Sequence, residues 1–545
     1  MVVSFFRGGR DKKDATALID LQLWPDRPPI YSLIETELRQ SGGALPDEFD
    51  LPAQDQDEHP SGLRWAPGAR DGVVARHERA ETDSSDGAKD RILIALERAA
   101  RYPSARRLRA LHESVTAVRI VKYIDDLLQE TAKNEKVNSD QLRELARWLA
   151  TTSPESEPVK LGISLLGIVG DSEDSSVVKT LALYDEFTLF CLVAVANMSD
   201  RPVDALWEIA KRVSGWGRIH AVERLSEYAS TDAKIRNWLL REGFKNRVMH
   251  EYLAHTCAAT GDLGGALESA DVDDELLASA GELIRAMISG GSTPGIHDYS
   301  DAPRALDRYL YHLAAAEKQL DQLLVLRAIH EHLLEDKTFE TTTTEALSLM
   351  LGKCETLLEK RDWQDLILDD LYTDDESRFW LVAEAAKVID IDIWERHWDR
   401  LVAKPLDSGR WFRVVDDCTE EQIDQILAFA ERSLELDRIA NRMQHAAVDD
   451  LPPWDEECQA LSCLDAVLQG LLSYSGRGWA FIHTALLSQE VGRRNMALQA
   501  LESWTRDAWS NEVHEALTTA QARESDDDVR LRMRQLLTRT PLDEQ

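Results

Sequence analysis

The sequence predicts an all-α fold: a right-handed α-solenoid of stacked antiparallel helix pairs, preceded by an irregular N-terminal segment. Three observations carry this. Apolar residues recur at helical spacing from Ala88 onward, no stretch sustains the alternation of a β-strand, and turn signals return about every thirty residues.

Residues 1–90 differ from the rest. Short apolar runs, Leu18–Trp24 and Ile30–Leu38, sit among Pro25, Pro28 and Pro29, and Ser41–Asp90 is too rich in Gly, Pro, Asp and Ser for a long helix. Asp55–His59 and Glu81–Asp90 read as linker. Between them lies an island at 63–74, Leu-Arg-Trp-Ala-Pro-Gly-Ala-Arg-Asp-Gly-Val-Val. Pro67-Gly68 and Asp71-Gly72 each predict a turn, with Trp65, Val73 and Val74 as anchors to the solenoid. Such a loop would hold Arg64, Trp65, Arg70 and Asp71 ready for contact, or serve as a strap over the first repeat.

An N-terminal solenoid is expected over 91–288, a loop or hinge over 289–303, and less regular helical repeats over 304–545. Val203, Leu206, Trp207, Ala210 and Val213 draw one stripe along a helix, with Ser199-Asp200 as its cap and Pro202 in its first turn. Thr342-Thr-Thr-Glu345 reads as a capping box for the helix through Leu351. A small residue followed by Asp marks turns at Gly170-Asp171, Ser199-Asp200, Thr231-Asp232 and Gly261-Asp262, and each interval holds two helix-length apolar segments. Helix pairs of this length bury one face only by stacking on neighbours. Nine of the fifteen tryptophans lie between Trp363 and Trp509; rings such as Trp394 and Trp398, four residues apart, are expected to fill the core between helices.

The stretch Leu161–Glu268 resembles the short, roughly thirty-residue HEAT-like repeats. A second region resembles them more weakly, through Ala497, Leu498, Leu501, Trp504, Val513, Leu517, Val529 and Met533. Leu253-Ala254, Gly261-Asp262 and Ala266 fit half of a tetratricopeptide signature, but Asp273 stands where that family has a small apolar residue. Either resemblance implies a binding surface rather than a particular chemistry.

The 63 basic and 98 acidic residues leave a formal charge of −35, which disfavours nucleic acid as a partner and favours a protein partner, a basic one included. Against that background Arg101, Arg106, Arg107, Arg109 and Arg119 form a basic stretch. Arg106 and Arg109 share a helix face and could dock phosphate, nucleic acid or an acidic segment, or else pair with Glu97 and Glu113. Six cysteines without framework spacing suit a reducing compartment. The apolar stretch after Met1 is too short for a signal-peptide core, and Thr188–Met198 is too short for a membrane span, so a cytoplasmic location is expected.

Chemistry is sparse. His250 and His255 are five apart, as are Cys458 and Cys463, which splays them on a helix, so no metal site is expected. The carboxylates around Tyr372 (Asp369, Asp370, Asp374, Asp375 and Glu376) match no calcium loop, and Gly215-Trp-Gly217 and Gly476-Arg-Gly478 lack the rest of a dinucleotide fingerprint. No cofactor is expected. Cys191 and Cys257 fall in apolar stretches and should be buried, unreactive thiols.

The functional expectation is therefore a protein-binding scaffold or adaptor with an acidic helical-repeat surface, of which an immunity or inhibitor protein for a basic partner is one form. A HEAT-like enzyme of the lyase type is the alternative; it requires a groove holding titratable groups near His220, Glu223, Arg241 and His250.

Overall fold

The computed structural model describes residues 23–52, 65–77, 87–270, 272–291, 293–335, 343–359, 362–416, 418–445 and 456–539. Met1–Arg7, Arg64, Asp55–His59, most of Glu81–Asp90 and Thr342 lie outside the described residues. Among the described residues every regular element is a helix, and the chain divides into two compact units, Met1–Lys360 and Arg361–Gln545.

In the first unit, α1 (Ile30–Gln40) and α2 (Ala69–His77) precede the hairpin α3 (Ala88–Arg101) and α4 (Ala105–Thr116). Then follow α5 (Ile124–Lys133), α6 (Ser139–Thr152), α7 (Ser156–Val169), α8 (Ser175–Leu181), α9 (Asp185–Met198), α10 (Pro202–Ala210) and α11 (Trp216–Ser226). The unit closes with α12 (Ala233–Trp238), α13 (Glu251–Gly261), α14 (Leu263–Leu267), α15 (Asp274–Ser289), α16 (Ala302–Leu313), α17 (Leu320–Leu334) and α18 (Thr344–Leu358). A π-helical turn, Leu239–Gly243, continues α12.

The second helices of successive pairs, α7, α9, α11, α13, α15 and α17, pack each on the next, while α8, α10 and α12 pack on their own partners α9, α11 and α13. That is the stacked arrangement the thirty-residue recurrence implies. All four turn marks fall between helices. Gly170 ends α7, Ser199-Asp200 separates α9 from α10, Asp232 caps α12 through the Lys234 amide, and Asp262 caps α14 through the Gly265 amide. Layer helices are buried over most of their surface: α7 hides Glu157 through Gly167 without a break. Helices of the other layer are one-sided, so α10 buries Ala205, Leu206, Ile209 and Ala210 and exposes Asp204 and Glu208.

Some local expectations are corrected. Pro202 does open α10, but Arg201 is its N-cap and no side chain caps it; the Ser199 hydroxyl, two residues before the cap position, instead accepts from the Arg201 amide. The cap of α18 is Thr343, whose hydroxyl accepts from the Ala346 amide. The 289–303 loop lies inside the first unit, where Ile296 and Tyr299 are buried and the Tyr299 hydroxyl accepts from the Gly264 amide.

The second unit contains α19 (Asp362–Asp370), α20 (Glu376–Val388), α21 (Trp394–Ala403), α22 (Ser408–Asp416), α23 (Glu420–Leu434), α24 (Leu436–His445) and α25 (Glu456–Gly470). It ends with α26 (Trp479–Leu486), α27 (Val491–Glu502), α28 (Asn511–Arg523) and α29 (Asp527–Arg539). Here too α25, α27 and α29 form one layer and α24, α26 and α28 another. The weaker repeat positions, Ala497, Leu498, Leu501, Trp504, Val513, Leu517, Val529 and Met533, are all buried in this core. Trp394 is buried and stacks on Trp398 at 5.6 Å, with Phe429 against both Trp398 and Trp411.

Two features of the first unit give measurable consequences. The Asp185 carboxyl at the start of α9 accepts backbone hydrogen bonds from Trp216 and Gly217, so it caps α11 of the next pair. Gly215 and Gly217 leave room for it: a Cβ at Gly217 would lie 2.5 Å from Thr188 Oγ1 and 2.6 Å from Asp185 Oδ1. Gly217→Ala should therefore destabilise the protein by roughly 2–4 kcal/mol, read as a lower urea midpoint; an unchanged midpoint refutes the capping account. His112 sits 4.1 Å from the Trp24 ring and 3.0 Å from Ser153 Oγ, and burial, helped by the charge of Arg27, pushes its imidazole down from 6.5 to about 4. The unfolded chain then binds more protons between those values, so stability is complete above 6.5 and falls towards pH 4, by at most about 3 kcal/mol. Urea titrations across that window should show a shallower slope for His112→Asn than for the wild type.

Candidate binding surfaces

The N-terminal segment lies across several repeats. Arg27 pairs with Glu155, α1 packs on α6 and α8, the Gly43 carbonyl accepts from Arg212, Asp47 pairs with Arg247, and Asp50 accepts from the Tyr184 hydroxyl at 2.8 Å. Helix α2 follows, seated against α9 and α11. The Pro67-Gly68 turn is present, with Gly68 at φ +74°, but Asp71-Gly72 is no turn; both residues are inside α2. Gly72 instead allows close approach, because a Cβ there would lie 2.5 Å from the Trp216 ring. Trp65 is not the anchor expected: it is 43% exposed, and Asp71 holds the segment instead.

Asp71 reaches a cation with no exposure to water. Lys160 Nζ, on α7, donates to Asp71 Oδ2 at 2.6 Å, Glu157 Oε1 at 2.9 Å and Glu186 Oε1 at 2.5 Å, and lies 5.7 Å from the Phe190 ring centre. Glu157 also accepts from the Ile120 amide and pairs with Arg119, and Glu186 accepts from the Gly68 amide. Burial alone would lower the lysine, but the carboxylates outweigh it and its pKa is raised; it stays an ammonium. Asp71 is raised by its burial, whereas the less buried Glu186 is pulled below the ordinary range by Lys160. The three carboxylates have the spacing of cation ligands, and the ammonium occupies their centre.

Beside this cluster is a cavity of about 40 Å³ lined by Asp50, Trp65, Arg70, Arg119, Tyr184 and Glu186, among others, with room for about two or three waters. The structure thus brings Trp65, Arg70 and Asp71 together with Arg119, which the sequence had grouped with Arg106 and Arg109. The latter two lie elsewhere, exposed on α4. There Ser104 caps the helix, Arg101 pairs with Glu97, and the guanidinium groups of Arg101 and Arg107 approach the Tyr102 ring at 5.1 and 5.5 Å.

The turn carboxylates form a second surface. Asp171, Asp200, Asp232 and Asp262 each lead into the first helix of a pair, so they recur along one edge of the stack, about 8–10 Å apart per repeat. Glu173, Asp204, Glu208 and Glu268 stand exposed at these turns and on the helices they open or close, and they and Asp171 are paired there with Arg143 and Arg147, Arg201, Lys179 and Arg304.

Each residue named for an enzymatic groove has a local partner. His220 is buried beside Trp216 with Glu223 at 3.9 Å, Arg241 is engaged by Asp273 and Glu275, and His250 packs edge-on against Phe244. Asp273, out of place in a tetratricopeptide repeat, caps α15 and holds Arg241; that guanidinium, with the Leu276 amide, lowers its carboxyl to about 2. Around Tyr372, Asp370 pairs with Arg378, Asp375 caps α20, and Glu376 pairs with Arg400 and Arg410. Cys191 and Cys257 are buried, and burial raises both thiols well above their ordinary value.

No family model matches the chain, and no curated protein matches it. Among known structures the chain is similar to one in a homology model of the full-length AP-3 complex in an intermediate open conformation, at 10% identity and a TM-score of 0.23, over 87% of this chain and 97% of that one. The all-helical repeat architecture rests on this chain's own stacked helices. Among the described residues, no helix is long and apolar enough to cross a membrane.

Removing the central cation tests the charge cluster. Lys160→Met leaves Asp71, Glu157 and Glu186 facing one another in a buried site and should cost about 3–5 kcal/mol at neutral pH. The deficit should shrink as pH is lowered towards 5, because uncompensated carboxylates protonate there. A pH-independent deficit in urea titrations would contradict this picture.

Proposed function

We propose that this chain is a cytoplasmic protein-binding scaffold of HEAT-like repeats, whose acidic edge receives a basic protein partner. The observation that carries this reading is the row of carboxylates at Asp171, Asp200, Asp232 and Asp262, repeated once per helix pair on a rigid stack. A partner with basic groups at a matching pitch meets one carboxylate turn per repeat, and the net charge of −35 steers its approach. An inhibitor or immunity protein for a basic enzyme is the same surface with one further property, that the bound partner loses its activity. The island residues Trp65, Arg70 and Asp71 then have a supporting role: they seat the N-terminal segment across the pairs that carry this edge.

Crosslinking in the native host, followed by binding measurements with the purified partner, tests the proposal. Affinity should fall about tenfold or more between about 0.05 and 0.3 M salt. A variant carrying Glu173→Lys, Asp200→Lys and Asp204→Lys, all at exposed positions, should bind at least about tenfold more weakly; because Glu173 pairs with Arg143 and Arg147 and Asp204 with Arg201, a melting curve read alongside separates loss of binding from loss of stability. A salt-indifferent complex that tolerates the three reversals would overturn it.

A further inference from the structure

We infer that the α3–α4 hairpin is a second docking surface, opposite in sign to the acidic edge, which takes a short acidic segment of another protein. Residues 91–109 contain six arginines and one glutamate, in a chain where acids outnumber bases by 35. On α3 the spacing of Arg91, Ile94, Arg98 and Arg101 places all four on one face. Arg91, Ile94 and Arg98 are exposed, Ile94 at 52%. On α4, Arg106 and Arg109 are exposed three residues apart. Tyr102, 54% exposed, joins the two helices and is bracketed by Arg101 from one and Arg107 from the other.

Many guanidinium groups elsewhere in the chain are neutralised by carboxylates, whereas this hairpin gathers several that are not. Arg143, Arg147, Arg241, Arg304, Arg378, Arg400, Arg493 and Arg532 are all engaged by carboxylates. Among the described residues, the side chains of Arg91, Arg98, Arg106 and Arg109 have neither an ion pair nor a hydrogen bond, although Glu113 stands one turn from Arg109 on the same helix. Unpaired guanidinium groups one or two turns apart on a helix, as Arg106 and Arg109 on α4 and Arg91 and Arg98 on α3 are, repel one another, and an anionic partner relieves that repulsion.

The patch is short. From Arg91 to Arg101 it extends about 15 Å along α3, the length of about five residues of extended chain. Acidic groups bound it: Asp90, Glu97, Glu113, and Asp125 and Asp126 at the start of α5. A nucleic acid carries its charge without interruption and would meet those carboxylates on either side. A peptide with a few carboxylates and one apolar side chain matches the arginines, Ile94 and the guanidinium-flanked Tyr102 ring together.

The test is fluorescence anisotropy with the full chain and a labelled peptide of Asp and Glu interrupted by one Phe and one Leu, in low salt. An oligothymidylate of similar length serves as the comparison. The peptide should bind. Arg106→Glu with Arg109→Glu should weaken it about tenfold, and Tyr102→Ala about threefold. Arg523→Glu, at an exposed position in the other unit, should leave it unchanged, and melting curves should match for all variants because the substituted side chains are exposed. Absence of peptide binding, or binding indifferent to the double reversal, overturns the inference. Tighter binding of the oligothymidylate through the same arginines overturns the choice of partner. The acidic-edge triple variant leaves this binding intact, so failure here and failure of the scaffold reading are separately visible.

Discussion

Lys160 is a full charge placed where water cannot reach it, and much of the first unit is arranged to make that tolerable. Stripping an ammonium of its hydration costs several kcal/mol even after relaxation, and the loss is offset only if its partners are fixed within hydrogen-bond distance. Glu157 comes from the same turn of α7, Glu186 from α9, and Asp71 from a helix 89 residues earlier in the chain. The three can converge only when α7 and α9 are in register and α2 is seated. Such a cluster adds little net stability compared with apolar packing. Its effect is on the alternatives: with α2 displaced by one helical turn, a carboxylate and an ammonium are left buried and mismatched.

The same logic, at lower stakes, runs along the stack. One-sided helix pairs would tolerate sliding, because apolar contact has little directional preference. Ion pairs linking residues one repeat apart remove that freedom. Arg143 reaches Asp174, Arg241 reaches Asp273, Arg413 reaches Glu384, Arg493 reaches Asp465, Arg494 reaches Glu524 and Arg532 reaches Glu502, at separations of 28 to 32 residues. The exposed members each contribute little, but Asp174 and the Arg494–Glu524 pair are buried, where a misplaced charge is expensive. Stack register is thereby set by charge while apolar burial supplies the driving force.

Sequence periodicity made the stack legible because it reports the quantity that builds it, the apolar face of each helix. Leu206, Ala210 and Val213 are buried as their spacing predicts, and the small-residue–Asp marks fall on helix boundaries because a turn needs both a compact residue and a capping oxygen. The strap was legible only as a composition. Gly72 reads locally as half of an Asp-Gly turn; its use, letting α2 lie on the Trp216 ring, depends on a residue 144 positions away. Gly215 and Gly217 pose the same problem, since the carboxyl they accommodate belongs to the preceding repeat. Lys160 carried no signal, being one lysine in a helix otherwise rich in apolar residues. A polar residue interrupting the most apolar stretch of a repeat, here α7, is the feature that could have pointed to it.

Net charge is a sum, and this chain shows how little a sum says about placement. The excess of 35 acidic residues is compatible with an acidic edge, a sealed cation and an arginine patch at once, because fields from exposed charges fade within about 8 Å at physiological salt. A partner within that distance of α3 and α4 meets guanidinium groups, while one approaching the α8–α14 turns meets carboxylates. If both proposed surfaces bind as proposed, two surfaces of opposite sign on one stack would hold two partners that differ in charge and keep them apart. Each would repel the other's site, which is specificity obtained without any change of shape.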